Sequence, residues 1–177
     1  MKKIFISFAL VLAWGMLLAQ SGNTSSMTTA GDENTNEVTQ TGQNTSAISQ
    51  GQGTLGFSDK ATAIVIQDGT GNDANTEQDG RRNRSRTLQD GIDQNSTVDQ
   101  DGNRNRARVT QRGIGAAGQG ELNSSVVVQE GNRNNAKLNQ RGTNQNSVIA
   151  QEGGNQNEAD IQQRGQFNQS SVFQSNG

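Results

Sequence analysis

From residue 34 onward the apolar residues come one at a time, in a fixed polar frame. Val38, Ile48, Val65, Val98, Val109, Val127, Leu138, Ile149, Ile161 and Val172 each stand two residues before a Gln. All but Val38 also stand two residues after an Ala or Ser, and most stand four after an Asn. The specified residues fall at every second position and the residues between them vary. That is the period of a β-strand with one constrained face. Two residues beyond most of these Gln comes a Gly, which supplies the bend that reverses the chain. The pattern predicts a strand-plus-turn unit of about eleven residues, Q-x-G-x-x-N-x-[AS]-x-φ-x-Q, and no helix.

Twelve seven-residue windows fit the unit: 34–40, 44–50, 61–67, 72–78, 83–89, 94–100, 105–111, 123–129, 134–140, 145–151, 157–163 and 168–174. Gly-rich insertions at Gly51–Lys60 and Ile114–Leu122 fall between windows, where a solenoid accommodates loops. Alternate units differ systematically. The small inward residue reads Ala107, Ser125, Ala136, Ser147, Ala159, Ser170, and the residue after Gln reads Arg112, Glu130, Arg141, Glu152, Arg164. A two-unit period means two strands per coil. The expected fold is all-β: a cross-β solenoid of about six two-strand coils, built from twelve half-repeats, over residues 34–177. Coils would stack at about 4.8 Å.

In such a stack, equivalent side chains lie one above another. The sequence predicts Gln ladders through Gln40, Gln67, Gln89, Gln111, Gln140 and Gln163, and through Gln50, Gln78, Gln100, Gln129, Gln151 and Gln174. It predicts amide ladders at the other strand end through Asn34, Asn44, Asn72, Asn83, Asn105, Asn123, Asn134, Asn157 and Asn168. The turn glycines are Gly42, Gly69, Gly80, Gly91, Gly102, Gly131, Gly142, Gly153 and Gly165. The ten aliphatic residues named above form a thin apolar core. Some positions depart from the pattern: Thr29 stands where a preceding Gln would be, and Asn36 replaces the small inward residue. Thr76 and Thr87 replace the aliphatic, and Gln94 and Gln145 replace Asn.

Composition then narrows the classes. The chain of 177 residues has 22 Gln, 21 Asn and 22 Gly, with no Pro, Cys, His or Tyr. No disulfide framework, Cys-ligated zinc or His-based acid–base catalysis is available to it, and no cofactor or catalytic residue is expected. Asn/Gln-rich composition without Pro leans towards β-assembly. Met1-Lys2-Lys3 followed by the apolar run Ile4–Leu18 reads as a secretory signal over 1–19, too short for a membrane span, so no span is expected after its cleavage. Residues 20–33 are polar and unpatterned, and are expected to be flexible.

The repeat, carried by nearly all of the chain after residue 31, resembles the curlin repeat of curli subunits, the bacterial functional amyloids. The resemblance implies a secreted subunit of extracellular, cell-surface fibres serving adhesion and biofilm matrix, of the bulk or the nucleating kind. It implies self-association, a second curlin subunit, and a curli-type secretion pore with accessory chaperones, residues 20–33 engaging that pore. The runner-up reading is a monomeric secreted β-solenoid that binds glycan, ice or polyanion; an isolated Thr39-x-Thr41 disfavours ice.

Three other features have ordinary explanations. Gly113-Ile-Gly115-Ala-Ala-Gly118 is a literal GxGxxG but lacks the flanking helix a dinucleotide needs. The column Asp79, Asp101, Glu130, Glu152 is read as solvated charge rather than a metal site. The Asn-x-Ser triplets arise from the repeat itself. More informative is a basic strip on an acidic protein: Arg82, Arg84, Arg86, Arg104, Arg106, Arg108, Arg133 and Lys137. It is read first as a charged face that limits lateral sticking, and second as a contact for a polyanion. Val126, Val128, Val148 and Phe173 would make an apolar strip on the opposite face.

Overall fold

A computed structural model describes residues 22–51, 58–113 and 122–176. The expected signal segment at 1–19 and nearly all of the GxGxxG insertion lie outside these residues. The strands are β1 (Thr24–Thr29), β2 (Thr35–Gln50), β3 (Ser58–Asp59), β4 (Thr62–Arg81), β5 (Arg84–Ile92), β6 (Asn95–Asn103), β7 (Arg106–Arg112), β8 (Ser124–Asn132), β9 (Asn135–Thr143), β10 (Asn146–Gly153), β11 (Glu158–Gln166) and β12 (Gln169–Asn176). Together they wind a β-solenoid of about six turns, with no helix among the described residues.

Each turn carries two arms, and the arms stack in two columns. The odd column runs from the first half of β2, through the first half of β4, to β5, β7, β9 and β11. The even column runs from the second half of β2, through the second half of β4, to β6, β8, β10 and β12. All these pairings are parallel, and the register is that of the repeat: Val109 on Leu138, Gln111 on Gln140. β2 and β4 continue through their arcs, so each supplies an arm to both columns.

Two strands lie beyond the twelve windows: the two-residue β3, inside the first insertion and paired with Gly80–Arg81 of β4, and β1. Thr24–Thr29, within the segment expected to be flexible, form β1 and pair in parallel with Thr45–Gln50. The physical reason is a continued alternation. Asn23-Thr-Ser25-Ser-Met27-Thr-Thr29 keeps the alternation with Thr in place of Gln. Among the described residues the even column therefore has seven arms and the odd column six.

The core lies between the columns. Burial alternates along each arm as the period-2 pattern demands: in β7 Ala107, Val109 and Gln111 are buried while Arg106 and Arg108 are exposed. The apolar layer is not continuous. One cluster holds Val38, Ile48, Ala63, Val65 and Ala74. The other holds Val98, Ala107, Val109, Val127, Ala136, Leu138, Ile149, Ala159 and Ile161, with Val172 packed against its end. Thr76 and Thr87 occupy the aliphatic positions between them, both fully buried.

The arcs explain the glycine in the repeat. Gly102 has φ +107, and a Cβ built on it would lie 2.0 Å from the carbonyl oxygen of Gly131 in the next coil. Both the left-handed backbone and the one-coil separation exclude a side chain there. Gly102→Ala should therefore lower the stability of the folded chain by at least ~2 kcal/mol. Asn103→Ala, on the exposed neighbour, should change it by less than ~0.5 kcal/mol. Urea denaturation followed by circular dichroism measures both; equal effects would refute the packing explanation.

Candidate functional site: amide ladders, axial edges and a basic strip

Every Gln of the repeat is joined to its neighbours along the axis. In the odd column Gln40 Nε2 donates to Gln67 Oε1 at 2.7 Å, and the chain continues 67→89 at 2.8, 89→111 at 3.0, 111→140 at 2.9 and 140→163 at 3.2 Å. In the even column the steps are 50→78 at 2.9, 78→100 at 2.7, 100→129 at 2.7, 129→151 at 2.8 and 151→174 at 2.8 Å. The polarity never reverses: Nε2 always donates towards the carboxy-terminal end. In all of these amides except Gln50 and Gln129 the second N–H crosses the core to a backbone carbonyl of the opposite column. Gln89 reaches Asp73 O and Gln111 reaches Asn95 O, both at 2.9 Å. One side chain thus joins adjacent coils and also joins the two columns. Satisfying both protons is what makes a buried primary amide tolerable, since leaving one unpaired costs ~1–3 kcal/mol.

The Asn columns work differently from the expected amide-to-amide ladder. Asn105 Nδ2 donates to Asp101 O four residues back at 2.9 Å, closing its own arc, and to Gly131 O of the next coil at 3.0 Å. Its Oδ1 accepts the backbone N–H of Asn134 at 3.0 Å. Asn72 and Asn83 make the same carbonyl contacts. The shorter side chain holds the amide against the backbone, so the ladder alternates side chain with main chain. This also accounts for the left-handed residue before it: Arg82, Arg104 and Arg133 have φ of 58, 60 and 59. Gln94 and Gln145 keep the arc-closing bonds, to Asp90 O and Arg141 O at 2.9 Å each. Their extra methylene carries Oε1 away from the next coil's N–H, and that oxygen is buried without a partner in both.

Other inward polar groups are less well satisfied. The hydroxyls of Thr76, Thr87, Ser46, Ser85, Ser96 and Ser125 are buried and unpartnered. Ser147 is an exception, accepting from Gln140 Nε2 at 2.9 Å and donating to Gln163 Oε1 at 2.8 Å.

On the outside, in-register stacking places like on like. Arg84 lies on Arg106 and Arg86 on Arg108, which in turn lies on Lys137. Arg82, Arg104 and Arg133 follow one another in the adjacent arc; with Arg81, Asn103, Asn132, Asn155 and Gln156 they line a groove of about 690 Å³. Towards the ends of this face cations meet acids: Lys60–Glu33 at 3.2 Å, Arg81–Asp59 at 3.6 Å and Lys137–Asp160 at 2.9 Å. Among the described residues Arg82, Arg84, Arg86, Arg104, Arg106, Arg108 and Arg133 have no ion-pair partner.

The even face is acidic where the odd face is basic. Glu77 stacks on Asp99, beside the column Asp79, Asp101 and Glu130. Burial, followed by the charges of Glu77, Asp101, Glu130 and Asp79, raises the pKa of Asp99 above its ordinary value. A carboxyl raised in the folded state destabilises the fold when ionised. The cost is fully present above the folded pKa and is relieved as the pH falls through it. No group of acids is placed to hold a metal ion among the described residues. Further along the same face lie half-buried Val126, Val128 and Val148 and exposed Phe173.

No family model matches the chain, and no curated protein or solved structure matches it. No helix among the described residues is long and apolar enough to cross a membrane.

The unpartnered hydroxyls give a direct test of the interior. Thr76→Val with Thr87→Val keeps the side-chain shape, removes two unsatisfied groups and joins the two apolar clusters. The double variant should gain ~2–4 kcal/mol in urea denaturation; a loss would show that these hydroxyls have partners.

Proposed function

We propose that the chain is a secreted structural subunit that polymerises end to end into extracellular, curli-like amyloid fibres, the material of surface adhesion and a biofilm matrix. The observation that carries this reading is the unbroken axial polarity of the Gln ladders. A ladder that never reverses ends in donors at one face and acceptors at the other. The carboxy-terminal face of one copy is therefore complementary to the amino-terminal face of the next. β11 and β12 end the two columns with open strand edges, the ready template for a further strand. The resemblance to the curlin repeat points the same way and brings with it a second curlin subunit, a secretion pore and chaperones as partners. Nothing in the reading requires catalysis or a cofactor.

Purified mature chain should convert from a dye-negative state to thioflavin-positive fibres, faster when sonicated fibres are added. Fibre diffraction should give reflections near ~4.8 and ~10 Å. A stable monomer that neither binds the dye nor responds to seeds would overturn the reading.

A polyanion contact is a second role for the same fibre, favoured by the unpaired arginines of the odd face. A fibre repeats the strip once per subunit, so weak contacts would sum. Fibres should retain duplex DNA at low salt and release it as salt rises. Arg104→Gln with Arg106→Gln and Arg108→Gln should weaken retention at least tenfold. Retention that ignores salt would dismiss the contact.

A further inference from the structure

Among the described residues the even column has seven arms and the odd column six, and this parity conflicts with a continuous fibre. With β1 in place, a second copy stacked on β12 would present its own β1 there. Its first odd arm, Thr35–Gln40, would then stand two coil steps from β11, leaving one position of the odd column unfilled. Without β1 the fit is continuous: β12 pairs with Thr45–Gln50 of the next copy and β11 with its Thr35–Gln40. The repeat register then continues across the junction, Val172 on Ile48 and Ile161 on Val38.

The side chains under β1 agree with this count. Gln50 Oε1 is buried and has no partner, although Gln50 itself is 0% exposed. Above it β1 offers Thr29, whose hydroxyl accepts from Asn36 Nδ2 at 2.7 Å and makes no bond to Gln50. At the far end Gln174 Nε2 gives one proton to Glu158 O at 2.9 Å and has a second to give. Ladder polarity directs that proton towards the Oε1 of a following Gln, which in a fibre is Gln50 of the next copy. Met27, at the aliphatic position of β1, is 36% exposed where Val98 and Val127 are 0%.

We propose that β1 is a detachable cap on the amino-terminal edge, displaced by β12 of a second copy when a fibre grows. The cap is held by backbone pairing with Thr45–Gln50, by Asn36 on Thr29, and by Asn23, whose Oδ1 accepts Asn44 N at 2.8 Å and whose Nδ2 donates to Gln40 O at 3.2 Å. It shields an edge that would otherwise recruit strands, and it sets the lag before assembly. The junction has one unfavourable neighbour: Glu37 meets Asp160, whose charge Lys137 already engages. The cap rests on the fibre reading, and the two can fail separately.

The test locks the cap. Thr28 and Ser49 are register partners on the outer face, and the chain has no native Cys. Thr28→Cys with Ser49→Cys, oxidised, joins β1 to β2. Seeded with wild-type fibres, the oxidised chain should elongate at least tenfold more slowly than the same chain reduced, which should match wild type. Equal rates for oxidised and reduced chain overturn the cap. Failure of the reduced chain and of wild type to polymerise overturns the fibre reading and the cap with it. Asn36→Ala provides an independent readout, because it frees Thr29 without touching the ladder. Its unseeded lag should shorten at least threefold, and an unchanged or longer lag also overturns the cap.

Discussion

A primary amide buried at 0% exposure has two protons and a carbonyl to satisfy, and the rest of the solenoid is organised around that requirement. Gln89 meets it with one bond up the axis, one down and one across to the opposite column. The axial bonds exist only if every coil places its Gln at the same angle and one strand spacing from the last. Parallel, in-register stacking follows. A slip of one residue would turn the whole inward face outwards and leave a row of amides unpaired in the core. The arcs inherit the same spacing. Successive glycines approach so closely that the carbonyl of one occupies the space a Cβ of the previous one would need. The two long insertions fall between arms because any insertion within an arm would move a Gln off its ladder.

This solution leaves little to the hydrophobic effect. Most arms contribute one branched aliphatic side chain and those of Thr76 and Thr87 none, so the apolar layer is an interrupted single file between polar rows. Dry amide networks are strong when complete and costly when they are not. The chain shows both conditions. The Gln rows are complete between their ends, while small hydroxyls along the same interior go unpartnered. In-register stacking also removes any choice about surface charge. A residue on one coil faces its equivalent on the next, so Arg84 meets Arg106 and Glu77 meets Asp99. Charge has to vary slowly along the axis, and segregated faces result: arginines on the odd column, acids on the even one, with the ion pairs among the described residues lying where the sign changes from coil to coil.

What the sequence made legible was whatever the period controls. Alternation within windows and between them gave the two-column solenoid, the Gln rows, the aliphatic file and the register of Arg82, Arg84 and Arg86 against Arg104, Arg106 and Arg108. What it left hidden depended on side-chain reach. Asn and Gln share a functional group, and periodicity treats them alike; one methylene decides whether the amide reaches its counterpart or the backbone. β1 was hidden for a related reason. Its Thr29 lacks the Gln by which windows were aligned, and Met27 is a lone apolar residue in a polar segment. Thr29 and Asn36 looked like separate lapses from the repeat, yet they are bonded to each other at 2.7 Å.

That pairing changes how departures from a repeat should be weighed. In a stack, the consensus residue is defined by having an identical neighbour on both sides. An end arm has a neighbour on one side only, so the forces that fix the consensus are halved there. Substitution at an end is cheap, and a side chain that cannot join the ladder is the means of ending it. Thr76 and Thr87 are not at an end, and they interrupt the apolar file without interrupting the Gln rows on either side. The two kinds of departure separate by what they break. Loss of the aliphatic weakens one coil and leaves the Gln rows intact, whereas loss of the Gln, as at Thr29, ends the ladder itself.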